Sequence, residues 1–326
     1  MKSDIRSAHV LVVGSLNTDL VMRAARLPRP GETIVGAAFH MAPGGKGANQ
    51  AVAAARLGVP VQMIGRIGDD AFGRLVRDAV ADAGVGVDAI QIDPNNPTGT
   101  AQVIVDAQGQ NAIVVASGAN ACLSVADVAR ATAQWEEASV VVLQLEVPLM
   151  TVAAAIAMAA ERHVPVLLNA APAQSLPHEL WHSVDWVVAN EVEMEQLAGC
   201  AGPSVDDAIA AAREVRQPGQ RVVVTLGAAG AVVVGDGEVL HAQAPRVDVV
   251  DTTAAGDAFV GALAAALHGG LAPAEALQLA VVAGSLACTV AGAIPSLPTA
   301  ADVCRVQGYG VKKSQFPDGH SGERDQ

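Results

Sequence analysis

Short apolar runs alternate along this chain with segments whose apolar residues recur every three or four positions. The runs cover residues 10–13, 61–64, 140–145, 164–168, 186–189, 222–226 and 231–234. Such runs, with little polar alternation, predict strands buried on both faces, as in a parallel sheet. Between them, Phe72, Leu75, Val76, Ala79, Val80 and Ala83 share one helix face. Ser124 with Asp127 and Ser204 with Asp207 have the form of capping boxes and open two further helices. Pro148 suits the first turn of a helix running to about Arg162. The alternation predicts an α/β fold, a three-layer αβα sandwich around a mostly parallel central sheet. Two turn-rich stretches, about 17–43 and 95–116, interrupt it. The second holds short alternating strands at 100–105 and 111–116, so both read as a small β-sheet over one edge of the main domain. Residues 1–306 then form one domain, and 307–326 a polar tail without fixed structure.

Composition supports a packed core. Of 326 residues, 51% are hydrophobic and 16% charged, which excludes an intrinsically disordered chain. Aromatics are only 2%, so Ala, Val, Leu and Ile must fill the interior. A net charge of −13 disfavours nucleic-acid and anionic-membrane partners. A phosphate site must therefore come from backbone N–H groups, a few placed cations and metal ions. Cys122, Cys200, Cys288 and Cys304 form no C-x-x-C pair and read as reduced thiols of a cytoplasmic protein. Residues 1–9 lack the apolar stretch of a signal peptide. The uncharged segment 276–294 contains Gln278, Gly284, Ser285, Thr289 and Gly292, which suits a buried helix better than a membrane span.

Candidate chemistry lies at glycine-rich junctions. Gly44-Gly45-Lys46-Gly47-Ala48-Asn49-Gln50 opens a helix that continues to Leu57. It is either a tight strand–helix turn or a place where a ligand meets the backbone, with Lys46 and Asn49 to grip hydroxyls. No Ser or Thr follows Lys46, so it is not a Walker A loop. Asp251-Thr252-Thr253-Ala254-Ala255-Gly256-Asp257 leads into a helix from about Asp257. There Asp257 is either a cap or a general base beside an anion hole made by N–H groups near Ala255, Gly256 and Asp257, in the loop from Ala254. Residues 225–230 are either a hairpin turn or a nucleotide loop. Glu193, just after Asn190, either caps a helix or holds Mg²⁺ through water. His178 and His182 have no third ligand at a spacing that suits zinc.

With these segments in this order, the chain resembles the PfkB-type carbohydrate kinases of the ribokinase-like branch. The resemblance spans residues 12–298 and rests on two signatures, 44–50 and 251–261. Further agreements are Gly14-Ser15-Leu16-Asn17-Thr18-Asp19, Pro30-Gly31-Glu32-Thr33, Gln144-Leu145-Glu146, Asn169-Ala170-Ala171-Pro172-Ala173, and Asn190 with Glu193. It implies ATP-dependent phosphorylation of D-ribose at the 5-hydroxyl, giving ribose 5-phosphate and ADP. Sugar contacts implied by it are Asn17, Thr18, Asp19, Gly45, Lys46, Gly47, Ala48, Asn49 and Glu146, with Asp257 taking the proton. The implied nucleotide site comprises Asn190, Thr225, Leu226, Gly227, Ala228, Ala229, Gly230 and Gly256. The resemblance also implies Mg²⁺ at Glu193 and K⁺ at Asp251, Thr253, Ala287, Val290, Gly292 and Ser296. It makes the small sheet a lid that pairs two subunits into a homodimer. Ala258 and Val260 depart from the family, which commonly carries Thr and Asn there. A weak final helix at 299–306, ahead of Gly308 and Gly310, puts C-terminal packing in question rather than the site.

Three rivals remain. A related kinase could act on fructose, deoxyribose or a nucleoside. A dinucleotide-dependent dehydrogenase would need G-x-G-x-x-G after the first strand, which Val13-Gly14-Ser15-Leu16-Asn17 does not supply. A catalytically dead sugar sensor would not need Gly256 and Asp257, yet both are present.

Overall fold

A computed structural model describes residues 8–306, apart from 175, 176, 200, 201 and 203. The tail expected at 307–326 and the thiol of Cys200 lie outside the described residues. Thirteen strands run in chain order: β1 His9–Val13, β2 Asn17–Arg23, β3 Ala38–Gly44, β4 Val61–Gly68, β5 Gly86–Asp93, β6 Gly99–Val105, β7 Asn111–Ala116, β8 Ala138–Leu143, β9 Val166–Asn169, β10 Trp186–Asn190, β11 Arg221–Thr225, β12 Ala231–Val234 and β13 Val239–Ala242. The helices are α1 Lys46–Arg56, α2 Ala71–Asp82, α3 Val125–Arg130, α4 Thr132–Glu136, α5 Leu149–Glu161, α6 His178–Trp181, α7 Glu191–Ala198, α8 Val205–Val215, α9 Ala255–His268, α10 Pro273–Ala287 and α11 Ala300–Cys304.

Nine strands form one sheet in the order β13-β12-β11-β10-β9-β8-β1-β4-β5. It is parallel except that β12 pairs antiparallel with β11 and with β13. The strand pleat divides the core in two. Val10 and Val12 of β1 join one cluster with α1, α9 and α10, while Leu11 and Val13 join the other with α5 and α8. Helices on both faces explain why the strands read as unbroken apolar runs. Both serine capping boxes form, at Ser124 with Asp127 and at Ser204 with Asp207.

Several expectations shift. The hairpin reading of 225–230 holds for the backbone, because a single 3₁₀ turn joins β11 to antiparallel β12. Strand β5 is an element the apolar pattern missed. It lies at the sheet edge and leaves Ile92 58% exposed, so its sequence carries no continuous apolar run. Pro148 is the N-cap of α5 rather than a first-turn residue. The buried helix expected over 276–294 stops at Ala287. Among the described residues, no helix is long and apolar enough to cross a membrane.

The second sheet is four-stranded, in the order β3-β2-β6-β7, built from the two turn-rich stretches. From β1 the chain proceeds to β4 and β5 on one side and later to β8, β9 and β10 on the other. The order therefore reverses between β1 and β8. In open α/β sheets, ligands sit at the carboxyl ends of the strands at that switch point.

Candidate active site

The residues following β1 and β8 meet at the switch point. Ser15 Oγ donates to Glu146 Oε2 at 2.5 Å, and the Lys46 N–H donates to the same oxygen at 3.1 Å. The Gly47 N–H donates to Ser15 Oγ at 3.2 Å. Gly45 makes this approach possible. Its φ is +93°, and a Cβ there would lie 2.7 Å from the Asn17 nitrogen. The Gly44–Gln50 segment is thus a tight strand–helix turn packed against Ser15, Asn17 and Glu146.

Asn17 and Asp19 project from the same face of β2, two residues apart. Asn120 holds Asn17 in place. Its Nδ2 donates to Asn17 Oδ1 at 2.8 Å and to the Leu16 carbonyl at 3.0 Å, while its Oδ1 accepts the Leu16 N–H. Asp19 packs against Gly44, where a Cβ would fall 2.5 Å from Asp19 Oδ2. Burial, then the Glu146 and Asp257 carboxylates, push the Asp19 pKa up to about 6. Thr18 points the other way, and its hydroxyl donates to the Phe72 carbonyl at 3.1 Å, anchoring the small sheet to α2.

Asp257 lies in the first turn of α9, which begins two residues earlier than the sequence suggested. Its Oδ2 accepts from Asn49 Nδ2 and its Oδ1 from Gln50 Nε2, both at 2.9 Å. Burial raises its pKa, against the opposing pull of Lys46, Asn49 and Gln50. Burial would lower the Lys46 pKa, but the Asp257, Glu146 and Glu193 carboxylates outweigh it and the net shift is upward. Ala254 caps α9 in the left-handed region at φ +60°. Among the described residues, neither the Gly256 nor the Asp257 N–H has an acceptor. Both sit at the positive end of the α9 dipole. Gly261 lets α9 reach α1, because a Cβ there would meet Ala53 Cβ at 2.5 Å and the Gln50 carbonyl at 2.6 Å.

Two adjoining cavities open beside this turn. The first, about 220 Å³, is lined by Lys46, Asn169, Asn190, Glu193, Thr252 and Asp257, among others. The second, about 150 Å³, is more apolar and includes Gly227, Gly230, Ala244, Phe259, Val281 and Cys288. Thr225 and Gly256 line both. Leu226 instead enters the core, and Ala228 and Ala229 are exposed. Ala48 is also a core residue, with its N–H bonded to the Ser15 carbonyl. Glu193 forms a capping box with Asn190, accepting the Asn190 N–H at 2.9 Å, while still lining the larger cavity. Asp251 Oδ1 accepts from the Thr253 N–H and hydroxyl, and Oδ2 accepts the Gly292 N–H at 2.9 Å. That tie brings the 251–253 loop to the turn after α10. There Val290 is exposed, Ala287 is buried, and the Ser296 hydroxyl donates to the Ala293 carbonyl.

Ser15, Gln50, Asn120, Gln144 and Asn169 also hold the site together and are not among the residues the sequence singled out. All but Asn120 fall within the motif stretches, so the stretches marked them without giving them a role. Nothing around Asn120 in the sequence signals its contact.

The family model described as pfkB family carbohydrate kinase matches residues 7–300. Ribokinase of Haemophilus influenzae is 39% identical over 289 residues, which is 88% of this chain and 94% of the relative. Deoxyribokinase of Salmonella typhi is 38% identical, over 78% of this chain and 84% of the relative. The solved structure of Arabidopsis thaliana ribokinase complexed with ribose and ATP superposes with a TM-score of 0.83 at 35% identity, covering 91% of this chain and 97% of that one. The chain belongs to the pfkB family of carbohydrate kinases.

Proposed function

We propose that this protein transfers the γ-phosphoryl group of ATP to the 5-hydroxyl of D-ribose. The observation that carries the reading is the position of Asp257. It is a buried carboxylate between a set of hydroxyl-gripping side chains and a cavity that holds Lys46 and the start of α9. In this reading Asn17, Asp19, Asn49, Glu146 and the backbone of Gly45 hold the sugar. Asp257 accepts the 5-hydroxyl proton while that oxygen forms its bond to the γ-phosphorus. The bond from γ-phosphorus to the bridging oxygen breaks, and ADP leaves with the electron pair. The Gly256 and Asp257 N–H groups and Lys46 face the charge that spreads over the transferring group. Thr225, Gly227, Gly230 and Asn190 line the nucleotide side.

Two ions fit the donors present. The Glu193 carboxylate, in the same cavity as Lys46, suits Mg²⁺ held through water, which supplies charge neutralisation to the phosphates. Asp251, Thr253 and the carbonyls around Ala287, Val290, Gly292 and Ser296 suit a large monovalent cation such as K⁺, whose binding would brace the 252–256 loop. The test is an ADP-release assay over a pentose and hexose panel. Ribose should give the highest kcat/KM, chelation of Mg²⁺ should abolish turnover, and K⁺ should exceed a bulky organic cation several-fold at constant ionic strength. ADP release that ignores the sugar sinks the kinase reading. Equal rates in all monovalent cations sink the K⁺ site alone.

The four-stranded sheet supplies a lid and a dimer face. Pairing registers place Asp19, Ala101 and Val115 in one row and Val21, Val103 and Ile113 in the next. The face that carries Asp19 therefore continues into Ile113 and Val115, which are 54% and 53% exposed. Two copies covering this apolar face would close both sugar sites. Sedimentation should report a dimer that Ile113→Lys dissociates. A monomeric wild-type protein at micromolar concentration refutes the pairing.

A further inference from the structure

A chain of buried amides ends on Asp257. Asn169, at the end of β9, donates from Nδ2 to the Val188 carbonyl of β10 at 3.2 Å, so it presents Oδ1 to its other side. Gln50 of α1 donates from Nε2 both to Asn169 Oδ1 at 3.0 Å and to Asp257 Oδ1 at 2.9 Å. With both of its hydrogens committed, Gln50 can only accept at Oε1, and Gln144 Nε2 fills that place at 2.7 Å. Two acceptors on one side and one donor on the other leave the Gln50 amide a single orientation. Gln50 is 1% exposed and Gln144 0%. The network is buried and directed up to Gln144, whose own Oε1 has no partner among the described residues.

We propose that Gln50, oriented by Gln144 and Asn169, is a positioning residue that fixes the plane of the Asp257 carboxylate and holds it in the anionic form needed to accept a proton. This rests on the reading of Asp257 as the base. Together with Asn49 on Oδ2, Gln50 places one donor on each carboxylate oxygen. The remaining lone pairs are then aimed by α1 and by the ends of β8 and β9, rather than by α9 alone. The charged groups facing Asp257 are Lys46 of α1, Asp19 of β2, Glu146 after β8 and, across the cavity, Glu193 of α7. Only Lys46 among them favours the anion. A neutral donor inside this mostly acidic shell offsets burial without adding a charge that would trap the phosphate.

The experiment compares pH profiles of kcat for the wild type, Gln50→Leu, Gln50→Glu and Gln144→Leu, with KM for ribose and ATP measured alongside. Removing a hydrogen bond to a buried carboxylate should move the acid limb of kcat upward by about one to two pH units. On the acid side of the wild-type limb the loss should be on the order of 10–10²-fold, and it should shrink as pH rises. Gln50→Glu should shift the limb further, because two carboxyls then compete for one proton. Gln144→Leu should shift it less, and KM values should stay within about threefold. A limb that stays in place, or a loss equal at every pH, overturns the positioning role. If Gln50→Leu does not fold, Gln50→Glu and Gln144→Leu decide alone by the same criterion. Asp257→Asn, run in parallel, separates the two readings. A large loss there with an unmoved limb in the Gln50 variants rejects only the role of Gln50, whereas near-normal turnover in Asp257→Asn rejects the base itself.

Discussion

Asp257→Asn should remain folded and bind both substrates, yet turn over on the order of 10²–10⁴ more slowly. The substitution keeps the shape and removes the proton acceptor. It also sets an amide NH₂ against a donor, since Asn49 and Gln50 each donate to one carboxylate oxygen. Asn49 can absorb that conflict. Its Oδ1 is buried and has no partner in the wild-type arrangement, so a rotation of its amide presents an acceptor. Gln50 cannot rotate, because Gln144 and Asn169 fix it. The new NH₂ should therefore settle toward Asn49. Folding should not suffer, because burial already penalises the native charge at this position. Titration calorimetry should find ribose and ATP affinities near wild type, and the ADP-release rate should carry the whole defect. Turnover within tenfold of wild type would remove Asp257 from the role of base.

Much of this was legible in the sequence for a physical reason. Strands covered on both faces must be apolar at every position, so β1, β10, β11 and β12 stood out with boundaries good to about one residue. Capping boxes are local, and Ser124 and Ser204 announced theirs. Edge strand β5 has one covered face and a short, mixed sequence, and it left no comparable trace. The glycine motifs marked the tight junctions around the candidate site, but not which side chains of a motif turn inward. Thr18 sits between two site residues and faces α2, because strand alternation sends neighbours to opposite faces. Ala48 and Leu226 likewise belong to motifs and serve the core. Asn120 was invisible, since its contact with Asn17 joins residues 103 apart in the chain. The amide chain through Gln144, Gln50 and Asn169 depends on three elements meeting, which spacing along one element cannot reveal.

Asp19 should govern the sugar rather than the nucleotide. A carboxylate that accepts two adjacent hydroxyls leaves a buried acceptor unpaired when one hydroxyl is missing. Ribose should therefore be preferred over 2-deoxyribose, and equal kcat/KM for the two sugars would favour the rival reading of a related kinase acting on deoxyribose. Asp19→Ala loses charge-assisted bonds each worth about 1.5–3 kcal/mol, so kcat/KM for ribose should fall on the order of 10²–10³-fold while KM for ATP changes little. The pH dependence has a definite sign. With its pKa near 6, Asp19 is anionic at pH 8 and becomes protonated as pH falls through 6. The protonated form offers a donor where the sugar needs an acceptor, so ribose affinity should be flat above pH 7. Below about pH 6 it should weaken by about tenfold per unit. Measuring Kd rather than rate keeps the titration of Asp257 as a catalyst out of the result. In Asp19→Asn the neutral side chain cannot titrate, so affinity should be low and nearly independent of pH from 5 to 8. A wild-type Kd that is constant over that range, or an Asp19→Asn variant that keeps the wild-type slope, would show that another group sets sugar affinity.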